Sequence, residues 1–363
     1  MAVERDGENR ALSPPPGLFG LGKGTASRVV VAPMDEPTRS ADLRLEQELN
    51  QLAGPGPVLA PGPGADVLAV RGGDPLEALH RVVSQDLRAI PHGGSALALL
   101  LAPKGQVRGM MVVFPRDEEV LLLAPPGSGE DLTASLNRYL MLSRCRVESV
   151  APSRLICVLG EGWRRLAGGG DGDLVLEGSG DDEVWWFGRT VAGMPGAVVA
   201  ALGGMGARRV GELTAGLPRI SQDTAELVRI GRGLPAWGRE VTEITLPPEV
   251  GLELAVSLSK GCYVGQEVMA RIDAYGRVNR TLVGVLRQDG PEDVPSVPLE
   301  LAPTPGDRPR GQLTSAAYHP EHGLVGLAVV RREVSVPGAD LFGDGRRFRV
   351  AALPLWEAAT SSV

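Results

Sequence analysis

The sequence predicts an α+β fold that gives way, near residue 280, to a small all-β module. Three observations predict it. Short apolar runs bounded by Gly and Pro alternate twice with helical patterns between about residues 66 and 245, the order expected of an α+β layer architecture. After Arg280 the helical patterns stop, and strands separated by Pro- and Gly-rich turns take over, as in a small barrel. The 363 residues include 49 Gly and 30 Pro but few aromatics, so turns are plentiful, and the length suits two or three cores.

Taken in order, residues 1–27 are rich in Pro, Gly and Ser and predict a disordered tail. Residues 17–23 match the start of a phosphate-binding loop. However, Gly24 stands where Ser or Thr would hold magnesium, and Pro14-Pro15-Pro16 replaces the preceding strand. Residues 28–65 read as an N-terminal extension and linker. They hold a strand at 29–31, a polar helix at 41–52 with Ser40 as N-cap, and Gly-Pro runs at 54–57 and 61–64. The first alternation has a strand at 67–70 and a helix from Asp74-Pro75 to about 83. A meander at 96–101, 107–114 and 119–123 follows, then a helix at 129–142 and a strand at 146–150. Leu132, Leu136, Tyr139 and Leu140 share one face of that helix. The second alternation has strands at 154–159, 184–187 and 197–201, with short helices at 162–166 and around Leu213. Trp185 and Trp186 point to opposite faces of a strand, which predicts at most one of them in the core. A helix at 223–230 has Asp223 and Glu226 at capping-box spacing. The barrel strands are expected at 281–287, 312–318, 324–332 and 347–353.

Composition excludes several functions. A net charge of −7 argues against broad nucleic-acid binding, which needs a dominant basic surface. Cys145, Cys157 and Cys262 have neither disulfide-framework nor zinc-site spacing. No apolar stretch reaches the ~18 residues of a membrane span, and the N-terminus has no signal-peptide core. The expectation is a cytoplasmic protein with no direct nucleic-acid or membrane partner. His319-Pro320-Glu321-His322 forms a turn without the further ligands a metal site needs, so no metal is assigned.

The most informative segment is Lys260-Gly261-Cys262-Tyr263-Val264-Gly265-Gln266-Glu267. A thiol just before a helix N-terminus, beside an ammonium, is favoured as thiolate, which makes Cys262 a candidate nucleophile or ligand. The alternative is a buried cysteine in a glycine-rich turn. Lys260 either holds that thiolate or a ligand carboxylate, or is a solvated lysine. Tyr263 either stacks on a flat ligand or closes an interface. Gln266 and Glu267 open a short helix at 266–272, where Glu267 complements the dipole or contacts ligand. Arg271, Arg277 and Arg280 form a basic cluster suited to carboxylates or to solvent.

This octapeptide resembles the signature of the YgfZ family, folate-binding-type proteins related to the glycine-cleavage T-protein (aminomethyltransferase) and to a mitochondrial iron–sulfur assembly factor. Leu246-Pro247-Pro248-Glu249-Val250 and Ala255-Val256-Ser257 precede it, and Ala270-Arg271 and Gly276-Arg277-Val278 follow it, as in the family. Residues 74–86, Ala102-Pro103-Lys104-Gly105-Gln106-Val107, Arg229-Ile230-Gly231-Arg232-Gly233-Leu234-Pro235 and Gly311-Gln312-Leu313-Thr314-Ser315 also match, in order. The resemblance implies a three-module cloverleaf. Two interleaved α+β modules at 66–245 would form a folate-type pocket, with the signature loop and short helix at 246–280 lining it or its rim. A C-terminal small β-barrel at 281–356 would close one side, leaving a tail at 357–363.

The resemblance further implies an accessory protein in iron–sulfur cluster assembly or repair, supporting tRNA modification indirectly. Such a protein binds tetrahydrofolate, has iron–sulfur client or assembly proteins as partners, and uses Cys262 and Lys260 as its reactive pair. Tyr263, Gln266, Glu267 and Arg271 would contact the cofactor. Two departures separate the chain from the T-protein. Met110 stands where the catalytic aspartate belongs, and Gly231 where a pterin-facing glutamate belongs. A thioether cannot exchange a proton, and a glycine cannot accept from the pterin N–H groups. Folate-dependent one-carbon (aminomethyl) transfer is therefore the alternative, and a non-catalytic scaffold with a vestigial pocket the further one.

Overall fold

The computed structural model describes residues 36–61, 65–160, 162–191, 194–276, 278–291 and 293–356. The P-loop-like segment, the strand expected at 29–31, Arg277 and the tail from 357 lie outside the described residues. From Ala41 onward the chain belongs to one packed unit.

The first sheet contains β2 (Asp66–Arg71), β3 (Ala96–Leu101), β4 (Val107–Pro115), β5 (Glu119–Ala124) and β6 (Arg146–Val150). It is antiparallel throughout, in the order β3-β4-β5-β2-β6. Its strands are near-continuous apolar runs because both faces are covered. On one face α2 (Pro75–His80) and α3 (Gly129–Leu140) bury Leu79, Leu132, Leu136 and Leu140 against Leu68, Val70 and Val113. Asp74 caps α2 by accepting from the Glu77 amide, and Pro75 occupies the first turn, as expected. Tyr139 is not on the buried stripe of α3; it is 45% exposed, because Leu136 and Leu140 already fill that face.

The opposite face meets a second antiparallel sheet, in the order β1-β7-β10-β9-β8. Its strands are β1 (Val58–Ala60), β7 (Arg154–Leu159), β8 (Leu174–Glu177), β9 (Val184–Val191) and β10 (Met194–Ala201). Val67, Phe114 and Leu121 pack between the sheets on Cys157, Trp185, Phe187 and Val198. Phe114 and Phe187 meet edge-on with centroids 5.0 Å apart. The far face of the second sheet buries Val158 and Trp186 under α4 (Trp163–Leu166) and α5 (Gly204–Leu213). Trp185 and Trp186 do point to opposite faces, but both are core residues, because each face has its own covering layer. The layers run helix, sheet, sheet, helix. The strand β1 comes from between the two Gly-Pro runs and pairs with β7, so the second sheet draws on chain from both sides of the first.

The remaining strands are β11 (Arg280–Asp289), β12 (Leu299–Leu301), β13 (Gly311–His319), β14 (Gly323–Arg331), β15 (Asp340–Gly343) and β16 (Arg346–Ala351). They form a sheet in the order β12-β13-β14-β11-β16-β15, around Val285, Leu313, Leu341 and Phe348. Its two edges meet through reciprocal Ala302–Phe342 hydrogen bonds of 2.8 and 2.9 Å, which nearly closes a barrel and removes its exposed edges. The helix α6 (Gln222–Gly231) packs Leu227 and Ile230 onto Val325 and Leu327 of this barrel. Its N-cap is Ser221, not the expected Asp223–Glu226 capping box: the Ser221 hydroxyl accepts from the Thr224 amide. The first helix, α1 (Glu36–Leu52), likewise begins before Ser40, which falls inside it. The last helix, α7 (Gln266–Tyr275), follows the signature loop. Among the described residues no helix is long and apolar enough to cross a membrane.

Candidate functional site

The signature loop is held by backbone geometry before any chemistry is considered. Gly265 has φ +84° and opens α7; a Cβ there would lie 2.7 Å from the Ala102 carbonyl oxygen. Across from it Gly105, at φ +85°, sits against Val268 and Met269. The two glycines thus let the loop and the Ala102–Val107 hairpin approach closely. Tyr263 seals the contact: its ring is buried with Leu99, Leu101 and Val107, and its hydroxyl donates to Ser257 O at 3.0 Å. Burial pushes its pKa up to about 12. Of the two readings of Tyr263, the structure has the interface role.

Lys260 is buried, and its Nζ donates to the carbonyls of His80, at the end of α2, and of Val83 and Gln85 just beyond it. These are carbonyls of the kind a helix end leaves without partners. The ammonium also lies 4.9 Å from the Tyr263 ring centroid. Burial pulls its pKa down to about 8. Lys260 therefore fastens the loop to the first module, with its three donors directed at backbone. Gln266 Nε2 donates to Lys260 O at 3.2 Å, which braces the same turn. Glu267 and Arg271 form an exposed i,i+4 pair at 2.9 Å. Arg280 grips Glu249 through Nε and Nη2, each at 3.1 Å. Arg271 and Arg280 thus have separate acidic partners. Cys262 is exposed, whereas Cys145 and Cys157 are buried.

The cleft lies elsewhere. A cavity of about 590 Å³ is bounded by the first sheet at Leu97, Met110 and Val112, by Trp237 and Leu252, and by the polar side chains of Arg189, Glu226 and Arg229. A second compartment of about 770 Å³ shares Leu97, Val112 and Arg189 with it, and Trp163, Arg164 and Asp173 bound its far side. No residue of 260–272 is among those lining either compartment. Residues 260–272 thus buttress β3 and β4 from outside, and from the 246–280 segment Leu252 reaches the cleft.

The charges in the cleft are organised by α6. Arg229 forks onto Glu226 at 2.8 and 2.7 Å and reaches the buried Glu240 at 3.1 Å, while Arg239 also donates to Glu226. Burial alone raises the Glu226 pKa, but the arginine bonds and charges outweigh it and hold the carboxyl below its usual range. Burial likewise opposes the charge of Arg229, and its acidic partners more than offset this. Three of the roughly four acceptor positions of Glu226 are filled, leaving one on Oε2. Burial holds Arg189 below its ordinary value, and Cys157, which also lines the cleft, offsets part of the shift.

Met110, the position that the resemblance matches to the T-protein aspartate, borders the cleft with a thioether. Gly231 is not among the lining residues. A Cβ there would overlap the Trp356 indole, and Leu355 N donates to Gly231 O at 2.7 Å, so this position receives the C-terminal segment. The cleft's carboxylate is instead Glu226, whose spacing from Asp223 predicts a capping box. The available signal was the Arg at i+3, which marks an ion pair on one helix face.

Comparison with solved structures decides the architecture. Aminomethyltransferase T of the glycine cleavage system from Bartonella henselae superposes with a TM-score of 0.75 over 86% of this chain and 90% of that chain, at 19% identity. The fold is that of an aminomethyltransferase. No family model matches the chain. Among curated proteins, an aminomethyltransferase of Streptomyces avermitilis is 26% identical over 197 residues, 52% of this chain and 47% of that protein. A chloroplastic protein of Arabidopsis thaliana named as a transferase is 24% identical over 243 residues, 60% of this chain and 53% of its own length. The chain thus spans about half the length of these two relatives. An uncharacterized protein of Haemophilus influenzae is 22% identical over 265 residues, 81% of its length.

Proposed function

We propose that this chain is a cytoplasmic folate-binding protein built on the aminomethyltransferase fold, with the pterin of a tetrahydrofolate held in the first compartment of the cleft. The observation that carries this reading is the compartment itself. It is within the size range of small-molecule sites, walled by Leu97, Met110, Val112 and Trp237, with Glu226 as its carboxylate. The remaining acceptor position of Glu226 suits a pterin N–H donor, and the apolar walls suit a flat bicyclic ring. Tetrahydrofolate, when bound, supplies one-carbon chemistry. The chain's own residues bind and orient it. Met110 moves no proton, and Glu226, gripped by Arg229 and Arg239, is a poor base. This supports binding without aminomethyl turnover more than the transferase alternative. Calorimetric titration with tetrahydrofolate tests it. One-to-one binding, weakened about tenfold or more by Glu226→Gln, is expected; no heat of binding to folded protein refutes it.

The exposure of Cys262 favours an added role, in which its sulfur serves an iron–sulfur client or assembly protein. Under native conditions a thiol reagent should label one of the three cysteines quickly, and Cys262→Ser should abolish that phase. Cys262→Ser should then fail to restore cluster-enzyme activity in a null strain while folding normally; full restoration removes the thiol from the function.

A further inference from the structure

The second compartment carries more polar structure than a packing gap requires. Arg164 lies with its guanidinium carbon 4.6 Å from the Trp163 ring centroid, and its Nη1 donates to the Gly170 and Gly172 carbonyls at 3.1 and 2.8 Å. That leaves Nη2 facing Asp173 at a long 3.9 Å, and the side chain 40% exposed. Asp173 in turn accepts from Ser95 Oγ at 2.7 Å. Gly188, on β9, makes room for this arrangement: a Cβ there would meet the Trp163 ring at 2.5 Å. Arg189, the next residue, borders both compartments. Two guanidinium groups and one carboxylate therefore line a compartment of about 770 Å³ in a protein whose net charge is −7.

We propose that this compartment binds a carboxylate, held by Arg164 and Arg189, adjoining the ligand in the first compartment. Planar guanidinium groups match a carboxylate in geometry and charge. Asp173, in the same lining, repels a doubly charged phosphate head more than a single carboxylate group, whose second carboxylate in glutarate or a glutamyl tail lies several bonds away. The carboxylate has two possible sources. It is either the glutamyl tail of the folate, in which case the site rests on the reading above, or a separate small acid that meets the folate in the cleft.

The test is calorimetry on the intact protein with glutarate as probe, on wild type, Arg164→Gln and Arg164→Lys, with melting temperatures confirming that each variant is folded. Saturable glutarate binding is expected, about tenfold weaker in Arg164→Gln and partly rescued in Arg164→Lys. Tetrahydrofolate separates the sources. If the site takes the tail, glutarate competes with tetrahydrofolate, and Arg164→Gln weakens tetrahydrofolate but not tetrahydropteroate. If it takes a separate acid, glutarate and tetrahydrofolate bind together, and Arg164→Gln leaves folate affinity unchanged. Glutarate binding without any tetrahydrofolate binding keeps this site and removes the folate reading. No saturable glutarate binding, together with folate affinity indifferent to Arg164→Gln, overturns the site, as does inorganic phosphate binding as tightly as glutarate.

Discussion

Removing the Glu240 carboxylate should cost more stability than its place in an irregular loop suggests. Its side chain is fully buried and accepts from Thr314 Oγ1 at 2.7 Å, Ser315 Oγ at 2.6 Å, the Ala236 amide at 2.9 Å and Arg229 Nη1 at 3.1 Å. It ties β13 of the barrel to the loop bordering the cleft and to the arginine that positions Glu226. Glu240→Ala leaves part of the Arg229 charge and the Ala236 amide without their buried acceptor, a loss of about 3–5 kcal/mol for breaking a buried ion pair from one side. Glu240→Gln keeps the shape and one acceptor, and should lose roughly half as much. Urea denaturation gives both values. Because Thr314 shares the carboxylate, Glu240→Ala and Thr314→Val should combine to less than their sum. A Glu240→Ala loss below about 1 kcal/mol would mean that water replaces the carboxylate at little cost and that Glu240 is not a structural tie.

Two further outcomes follow from the loop and the C-terminal segment. Burial lowers the Lys260 pKa from 10.5 to about 8, so the folded protein gives up this proton more readily than the unfolded chain. Wild type should therefore gain stability as pH rises from about 8 to about 10.5, by at most about 3 kcal/mol relative to Lys260→Met. Parallel pH profiles of the two proteins in chemical denaturation would contradict this. Gly231→Glu should not create a pterin anchor but should destabilise the protein by displacing Trp356, and Trp356→Ala should recover part of the loss. Tighter tetrahydrofolate binding by Gly231→Glu with unchanged melting temperature would show that Gly231 faces the cleft after all.

Elements whose cause is local were legible in the sequence. The Ala96–Leu101 run, the Asp74-Pro75 helix start and the glycines of the signature loop each state their geometry within a few residues. What was hidden depends on distant chain. Val58–Ala60 is three residues long and becomes a strand through pairing with β7, about a hundred residues later in sequence. Opposite-facing Trp185 and Trp186 read as one core residue at most until a helical layer is known to cover the second face. Lys260 sits beside Cys262 in sequence, yet its partners are carbonyls 175 to 180 residues upstream. The cleft was the least legible feature. Met110 was placed there by resemblance, but Leu97, Arg189, Glu226 and Trp237 come from four separate segments, and no local spacing links them.

On the proposed function, ligand binds between the two sheets and not at the cysteine loop. Trp237 lines the first compartment and gives the most direct measurement. Tetrahydrofolate should quench tryptophan emission saturably, and Trp237→Phe should remove most of that change while Trp356→Phe leaves it. Quenching that survives Trp237→Phe but disappears on alkylation of Cys262 would put the ligand at the signature loop instead.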